Sequence, residues 1–235
     1  MKFSAVILVG TGGIGTNLLE PLTRLLMFHP NGSWKIIIAD GDEFSESNLT
    51  RQLFDPEAIN QNKAIATACR LKFAPNLMPI GEYMNRNSMY GLLSGLGFYL
   101  RPEHPLLFVS CVDNHASRKL FLESLDEHVS SYAFVNPSNG YETVQVSLHL
   151  RLNGQNKTVH PFERYHDIAH PTDYIPGGCQ EEAPAVPQLL AANFLAASGA
   201  LMLVNALLED KPVYDELVGD IYRMQLKPVG RAIKI

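Results

Sequence analysis

The stretch Ala5-Val6-Ile7-Leu8-Val9, continued by Gly10-Thr11-Gly12-Gly13-Ile14-Gly15, decides the fold of this chain. Five consecutive apolar residues suit a strand buried on both faces of a parallel sheet. The glycines behind it let the backbone turn tightly and approach phosphate oxygens at a helix N-terminus. Thr16 to Phe28 carries Leu18, Leu19, Leu22, Leu25 and Leu26 at helical spacing, and His29-Pro30-Asn31-Gly32-Ser33 ends the run. Trp34 to Ala39 reads as a second strand, and Asp40 follows at its C-terminal end, the edge where open α/β sheets bind ligands. There Asp40 suits a hydrogen bond to ribose hydroxyls; the alternative is a capping or turn aspartate.

A glycine turn of this kind opens many dinucleotide enzymes, but the next residues ask for more negative charge than a pyrophosphate carries. Ser47-Asn48-Leu49-Thr50-Arg51-Gln52 and then Asn62-Lys63 place an Asn, an Arg, a Gln and a Lys behind the ribose carboxylate. Alone, Arg51 would be an ordinary solvated charge. Lys63 opens a helix that runs to Phe73, and a cation at a helix N-terminus is unfavourable unless an anion lies near it. Met78-Pro79-Ile80 suits a short strand and Met89 to Leu100 a helix broken by glycines, in a stretch less regular than the rest. Leu106 to Cys111 is a buried strand that brings Asp113-Asn114 to the same edge as Asp40, and a helix from His115 to about Leu125 carries Arg118 in its first turn.

Together, Gly10 to Gly15, Asp40-Gly41-Asp42, Ser47 to Gln52, Lys63 and Cys111-Val112-Asp113-Asn114 with Arg118 resemble the ThiF/MoeB/HesA family, the bacterial relatives of ubiquitin-activating enzymes. The resemblance extends more loosely to Cys179 and the apolar helix after it. It implies an α/β fold with a Rossmann-like, mostly parallel sheet flanked by helices and antiparallel strands added in the C-terminal half. Residues 1–235 would form one adenylation domain, with a nucleotide-binding half over 1–128 and the antiparallel strands, cysteine loop and apolar helix over 129–235. ATP and Mg²⁺ are the implied cofactors. The implied nucleotide-binding residues are Gly10, Gly12, Gly13, Gly15, Asp40, Asp42, Asn48, Gln52 and Asn114, with Arg51 and Lys63 on the phosphates and Asp113 on the metal. For Asp113 the plain alternative is a helix cap; a carboxylate facing a triphosphate makes sense when a cation bridges them.

The same resemblance implies that the carboxyl group activated is the C-terminal glycine of a small ubiquitin-like or sulfur-carrier protein, and that the enzyme works as a homodimer or heterodimer. Cys179, in Pro176-Gly177-Gly178-Cys179-Gln180, matches a family cysteine that accepts the activated carboxyl group, although Glu181 and Glu182 would raise its pKa. Relatives place helices ahead of the first strand, one of them lending an arginine to the partner's ATP. Here the strand starts close to Met1, so that arginine is expected from another chain or not at all. Relatives also often carry paired C-x-x-C motifs for zinc; this chain has none, and no zinc is expected.

Composition bounds the remaining classes. The 235 residues favour one domain, and 46% hydrophobic with 18% charged residues is ordinary for a globular protein. A net charge of -5 argues against a nucleic-acid surface. Three cysteines, Cys69, Cys111 and Cys179, fit a reducing, cytoplasmic setting better than a disulfide framework, and Cys69 and Cys111 read as inert buried thiols. No signal peptide is read in the first residues. Tyr132 to Asn136 and Glu142 to Leu152 read as strands, and Asn153-Gly154 as a hairpin turn. His160 to Pro187 reads as a long loop whose His160, His166 and His170 match no zinc spacing and are expected on the surface. Leu189 to Leu208 is apolar enough to span a bilayer, but Asn193, Ser198 and Asn205 interrupt it, so a buried or dimer-interface helix is expected and no membrane.

Three other functions compete with adenylation. A non-catalytic scaffold subunit would have no chemical need for Arg51, Lys63 and Asp113. An NAD-dependent oxidoreductase accounts for Gly10 to Asp40 and leaves Ser47 to Lys63 unexplained. Activation of a carboxyl group on modified tRNA is disfavoured by the acidic balance.

Overall fold

The computed structural model describes residues 1–33, 35–174 and 189–234. The sheet order follows from the apolar runs. β1 (Val6–Val9) lies at the centre, with β2 (Ile36–Ala39) and β3 (Leu77–Ile80) parallel to it on one side and β4 (Leu106–Ser110) and β5 (Tyr132–Asn139) parallel on the other. β6 (Thr143–Leu152) runs antiparallel to β5, β7 (Gln155–Asn156) pairs with β6, and β8 (Val213–Asp220) and β9 (Gln225–Ile233) extend the sheet antiparallel, to nine strands among the described residues. The expected α/β architecture, parallel and then antiparallel, is the one observed.

Residues alternate between two apolar layers along each central strand. Val6, Leu8, Ile36, Ile38, Leu107 and Val109 face α1 (Gly13–Phe28), α2 (Lys63–Arg70) and the long apolar helix near the C-terminus. Ile7, Val9, Ile37, Phe108 and Phe134 face α3 (Arg86–Leu96) and α4 (His115–His128). Phe108 packs on Phe121 and Phe134 with ring centroids 5.2 and 5.6 Å apart, fixing α4 on this face. Both neighbours of β1 start crossovers that leave in opposite directions, so a crevice opens at the C-terminal ends of β1 and β4.

Several boundaries differ from the sequence reading, each for a local reason. α3 begins at Arg86 because Asn85 caps it, its side chain accepting from the backbone N–H groups of Asn87 and Ser88. α2 ends at Arg70, and its buried face is made by Lys63, Ala64, Ala66 and Thr67, so Cys69 is exposed instead of buried. The hairpin turn is confirmed, with Asn153 and Gly154 at φ 51° and 74°. The segment read as one loop from His160 holds two single-turn helices, α5 (Pro161–Arg164) and α6 (His166–Ala169), too short to leave a period in the sequence. Within Leu189 to Leu208, α7 (Leu190–Leu208) packs against α1 and the sheet and presents Phe194 and Met202 on its outer side.

His160 is buried, not on the surface as expected. Its Nε2 lies 3.0 Å from Asp126, which also accepts from Tyr132 and Arg151 at 2.7 and 2.6 Å. His149 sits against this group, 1% exposed, its Nδ1 2.8 Å from Thr158 Oγ1. Donor atoms of Asp126, His149 and His160 lie within 4.8 Å of one another. Hydrogen bonding speaks against a metal there: His160 Nδ1 accepts from the Phe162 N–H, so its Nε2 carries the proton towards Asp126, and Arg151 already balances that carboxylate. Burial pushes the His149 pKa down to about 4. An unfolded histidine titrates near 6.5, so between those values the unfolded chain binds a proton that the native one refuses. Stability from this residue is therefore fully present above about pH 6.5 and declines as pH falls towards 4, by about 3 kcal/mol in all. Urea unfolding at pH 7.5 and 4.5 is expected to show this loss, and His149→Phe is expected to remove most of it.

Candidate functional site

A cavity of about 960 Å³ occupies the crevice. Its lining includes Gly10, Gly12, Gly13, Asp40, Asp42, Arg51, Gln52, Lys63, Asp113 and Asn114, residues far apart in sequence that the topology brings to one edge. The glycine turn forms because β1 must reverse directly into α1. Gly10 has φ 92°, and a Cβ there would lie 2.7 Å from the Cys111 carbonyl oxygen of the adjacent β4 end. Only glycine combines that conformation with that approach.

Asp40 holds the turn in place. Its Oδ2 accepts from the Thr11 N–H at 2.6 Å and from Thr11 Oγ1 at 3.0 Å, and its Oδ1 accepts from the Asp42 N–H at 2.9 Å. One lone pair on Oδ1 remains for a ribose hydroxyl. Burial, reinforced by the charge of Asp42, raises the Asp40 pKa. The neighbouring Asp42 accepts from Lys63 Nζ at 2.8 Å and from the Tyr83 hydroxyl. Burial pushes its carboxyl up, but the bonds from Lys63 and Tyr83 and the charge of Lys63 outweigh it and hold it below the usual range. Asp42 is thus the anion that Lys63, 7% exposed at the start of α2, requires. Asn62 closes the same corner, donating to the Asp40 and Asp42 carbonyls at 2.9 and 3.2 Å while capping α2.

The loop carrying Arg51 is closed by stacking of Phe44 on Phe54, centroids 4.0 Å apart. Asn48, expected at the nucleotide, is buried instead and does not line the cavity: its Oδ1 accepts from the Ser45 N–H and shapes the single turn before Arg51. Gly15, also expected there, sits below the cavity in the contact between α1 and the end of β1. Cys179 lies outside the described residues.

Across the crevice, Asn114 rather than Asp113 caps α4, accepting from the Ser117 N–H at 2.8 Å. That leaves the exposed Asp113 carboxylate facing the cavity. Arg118 is buried behind it, donating to the Val112 carbonyl at 2.7 Å and lying 3.1 Å from His115 Nδ1. Burial and then Arg118 push the His115 pKa down. Burial pushes the Cys111 thiol up to about 12, which disfavours its thiolate, although the residue is only partly buried at the cavity wall. Asp173 completes the first turn of α4 from 57 and 58 residues away, accepting from the N–H groups of His115 and Ala116 at 2.7 and 2.8 Å. Beyond it the cavity runs past Ser138, Thr143, Gln145 and Gly219, where the end of β5, the start of β6 and the end of β8 lie side by side.

The residues fit a magnesium nucleotide. Backbone N–H groups of a glycine turn at a helix N-terminus suit phosphate oxygens, and the cavity has the size of a cofactor site. Arg51 and Lys63 bring positive charge, and Asp113 offers the hard oxygen ligand that Mg²⁺ prefers. Sequence reasoning missed Tyr83, His115, Gln145, Asp173 and Tyr174. Tyr83 and His115 had a signal, since they follow the C-terminal ends of β3 and β4; the others depend on tertiary placement.

The model of the ThiF family matches residues 1–128. The ubiquitin-like modifier-activating enzyme 5 of Drosophila melanogaster is 24% identical over 248 residues, covering 97% of this chain and 57% of that protein. The Drosophila mojavensis enzyme of the same name is 24% identical over 241 residues, with the same coverage. The chain thus spans just over half the length of these curated relatives. Among solved structures, PaaA superposes with a TM-score of 0.63 at 14% identity, covering 97% of this chain and 64% of that one. Escherichia coli MccB with ATP superposes with a TM-score of 0.61 at 14% identity, again covering 97% and 64%.

Proposed function

Because this chain belongs to the ThiF family, we propose that it activates a carboxylate with ATP. The carboxylate oxygen attacks the α-phosphorus, the bond to the bridging oxygen breaks, and an acyl-adenylate and pyrophosphate result. The observation that carries this reading is the single cavity in which the glycine turn, Asp40, Arg51, Lys63 and Asp113 meet. In it the turn holds the phosphates, Asp40 the ribose, and Arg51 and Lys63 the charge that builds on the leaving pyrophosphate. Asp113 would hold Mg²⁺, which supplies Lewis-acid neutralisation of the phosphate oxygens. The carboxylate is proposed to be the C-terminus of a small ubiquitin-like protein or a peptide. The names of the relatives support this class: one is an activating enzyme of ubiquitin-like modifiers, and MccB was solved with MccA.

Thermal unfolding with Mg-ATP, with NAD and with neither tests the reading. At a Mg-ATP concentration 100 times Kd, binding stabilises by about 2.7 kcal/mol, a rise in Tm of about 5–10 °C for a chain of this size. Arg51→Ala is expected to lower this shift by more than half. Stabilisation by NAD alone would overturn the proposal in favour of an oxidoreductase.

A further inference from the structure

α7 is apolar along its length, yet its fourth residue, Asn193, is 0% exposed. A buried carboxamide is unfavourable unless its hydrogen bonds are made. Here Nδ2 donates to the Arg51 carbonyl oxygen at 3.2 Å, across 142 residues, while Oδ1 has no partner among the described residues. An aliphatic side chain, like those of Ala196, Ala197 and Leu203 along the same face, would fill the core without that unmet acceptor. What Asn193 adds is the link to Arg51.

The same carboxamide touches the glycine turn. A Cβ on Gly13 would lie 2.4 Å from Asn193 Nδ2, so Asn193 occupies space left by the missing Gly13 side chain. A second tie runs parallel to it: Thr16 Oγ1 donates to the Gly12 carbonyl at 2.8 Å and accepts from the Leu53 N–H at 3.1 Å. Residues 51 and 53 are therefore fastened to the glycine turn from two sides, once through α7 and once through α1. The Asn193 bond falls on the backbone of the cationic residue itself, and so fixes where the Arg51 side chain starts relative to the turn.

We propose that Asn193 is a positioning residue of the nucleotide site, holding Arg51 at the spacing from Gly12 and Gly13 that a triphosphate needs. This rests on the ATP reading above. Mg-ATP affinity measured by titration calorimetry, together with the Tm of the free protein, separates positioning from packing. Asn193→Ala is expected to weaken Mg-ATP binding about tenfold. Asn193→Leu, which is close in shape but carries no donor for the Arg51 carbonyl, is expected to weaken it as much. Val204→Ala, in the core of the same helix, is expected to lower Tm and leave the affinity within twofold of wild type. In an Arg51→Ala background, Asn193→Ala is expected to cost less than a further twofold, because the two act through one contact.

Wild-type affinity in either Asn193 variant overturns the proposal, as does full additivity with Arg51→Ala or an equal loss in Val204→Ala. Absence of Mg-ATP binding by the wild-type protein overturns the ATP reading itself, and this inference with it.

Discussion

Asp113→Asn is expected to reduce carboxylate-dependent ATP–pyrophosphate exchange about 10²- to 10³-fold, the range found when one well-placed electrostatic group is removed from a reacting centre. The substitution keeps the size of the side chain and alters only its charge. Asp113 is exposed at the cavity, and the cap of α4 belongs to Asn114, so the fold is expected to survive with its Tm within about 1–2 °C of wild type. The loss then falls on the metal-dependent chemistry. Exchange assayed with peptides ending in a free carboxylate, over a series of Mg²⁺ concentrations, should show the variant needing far more Mg²⁺. If Asn supports exchange at the wild-type rate and Mg²⁺ dependence, the role given to Asp113 is wrong.

Gly15→Ala is expected to act on the opposite quantity, stability, by about 4 kcal/mol or more. A Cβ at residue 15 would fall 1.9 Å from the Gly10 carbonyl oxygen and 2.9 Å from its carbon, a clash with backbone that no side-chain rotation relieves. Relief requires α1 to move away from β1, which opens the apolar layer formed by Leu18, Leu19 and Leu22 against the sheet. Urea denaturation of the variant should show a large fall in the midpoint, or soluble protein should be lost. Near-wild-type stability would mean that the contact between α1 and the end of β1 is looser than described. Gly12 is the contrasting position: a Cβ there would meet nothing nearer than the Gln52 side chain at 4.0 Å, because that side of the turn faces the cavity.

Much of the nucleotide half was legible because it is written in short-range rules. An apolar pentad, a glycine turn and a carboxylate at the next strand end are all contiguous in sequence, and the sheet edge then gathers them. The Asn153-Gly154 turn was legible for the same reason. What stayed hidden was set by distant partners. His160 looks like any loop histidine until β6 and α4 bring His149 and Asp126 to it. Asn48 matches a nucleotide-binding pattern, but its side chain completes the capping box of the turn in which it stands. Asn193 appears in the sequence only as an interruption in an apolar run; its partner is the carbonyl of a residue on another element. Cys69 is exposed because the buried face of α2 is made by Lys63, Ala64, Ala66 and Thr67, with Ile65 turned outward.

The clasp of Asp173 on α4 carries a consequence for traffic at the cavity mouth. The two N–H groups it takes are the free donors of a helix start, the groups a small anion would seek. Only one occupant can have them at a time. Docking of the chain around Asp173 and entry of an anion at that spot are therefore mutually exclusive, and by thermodynamic reciprocity each weakens the other by the same factor.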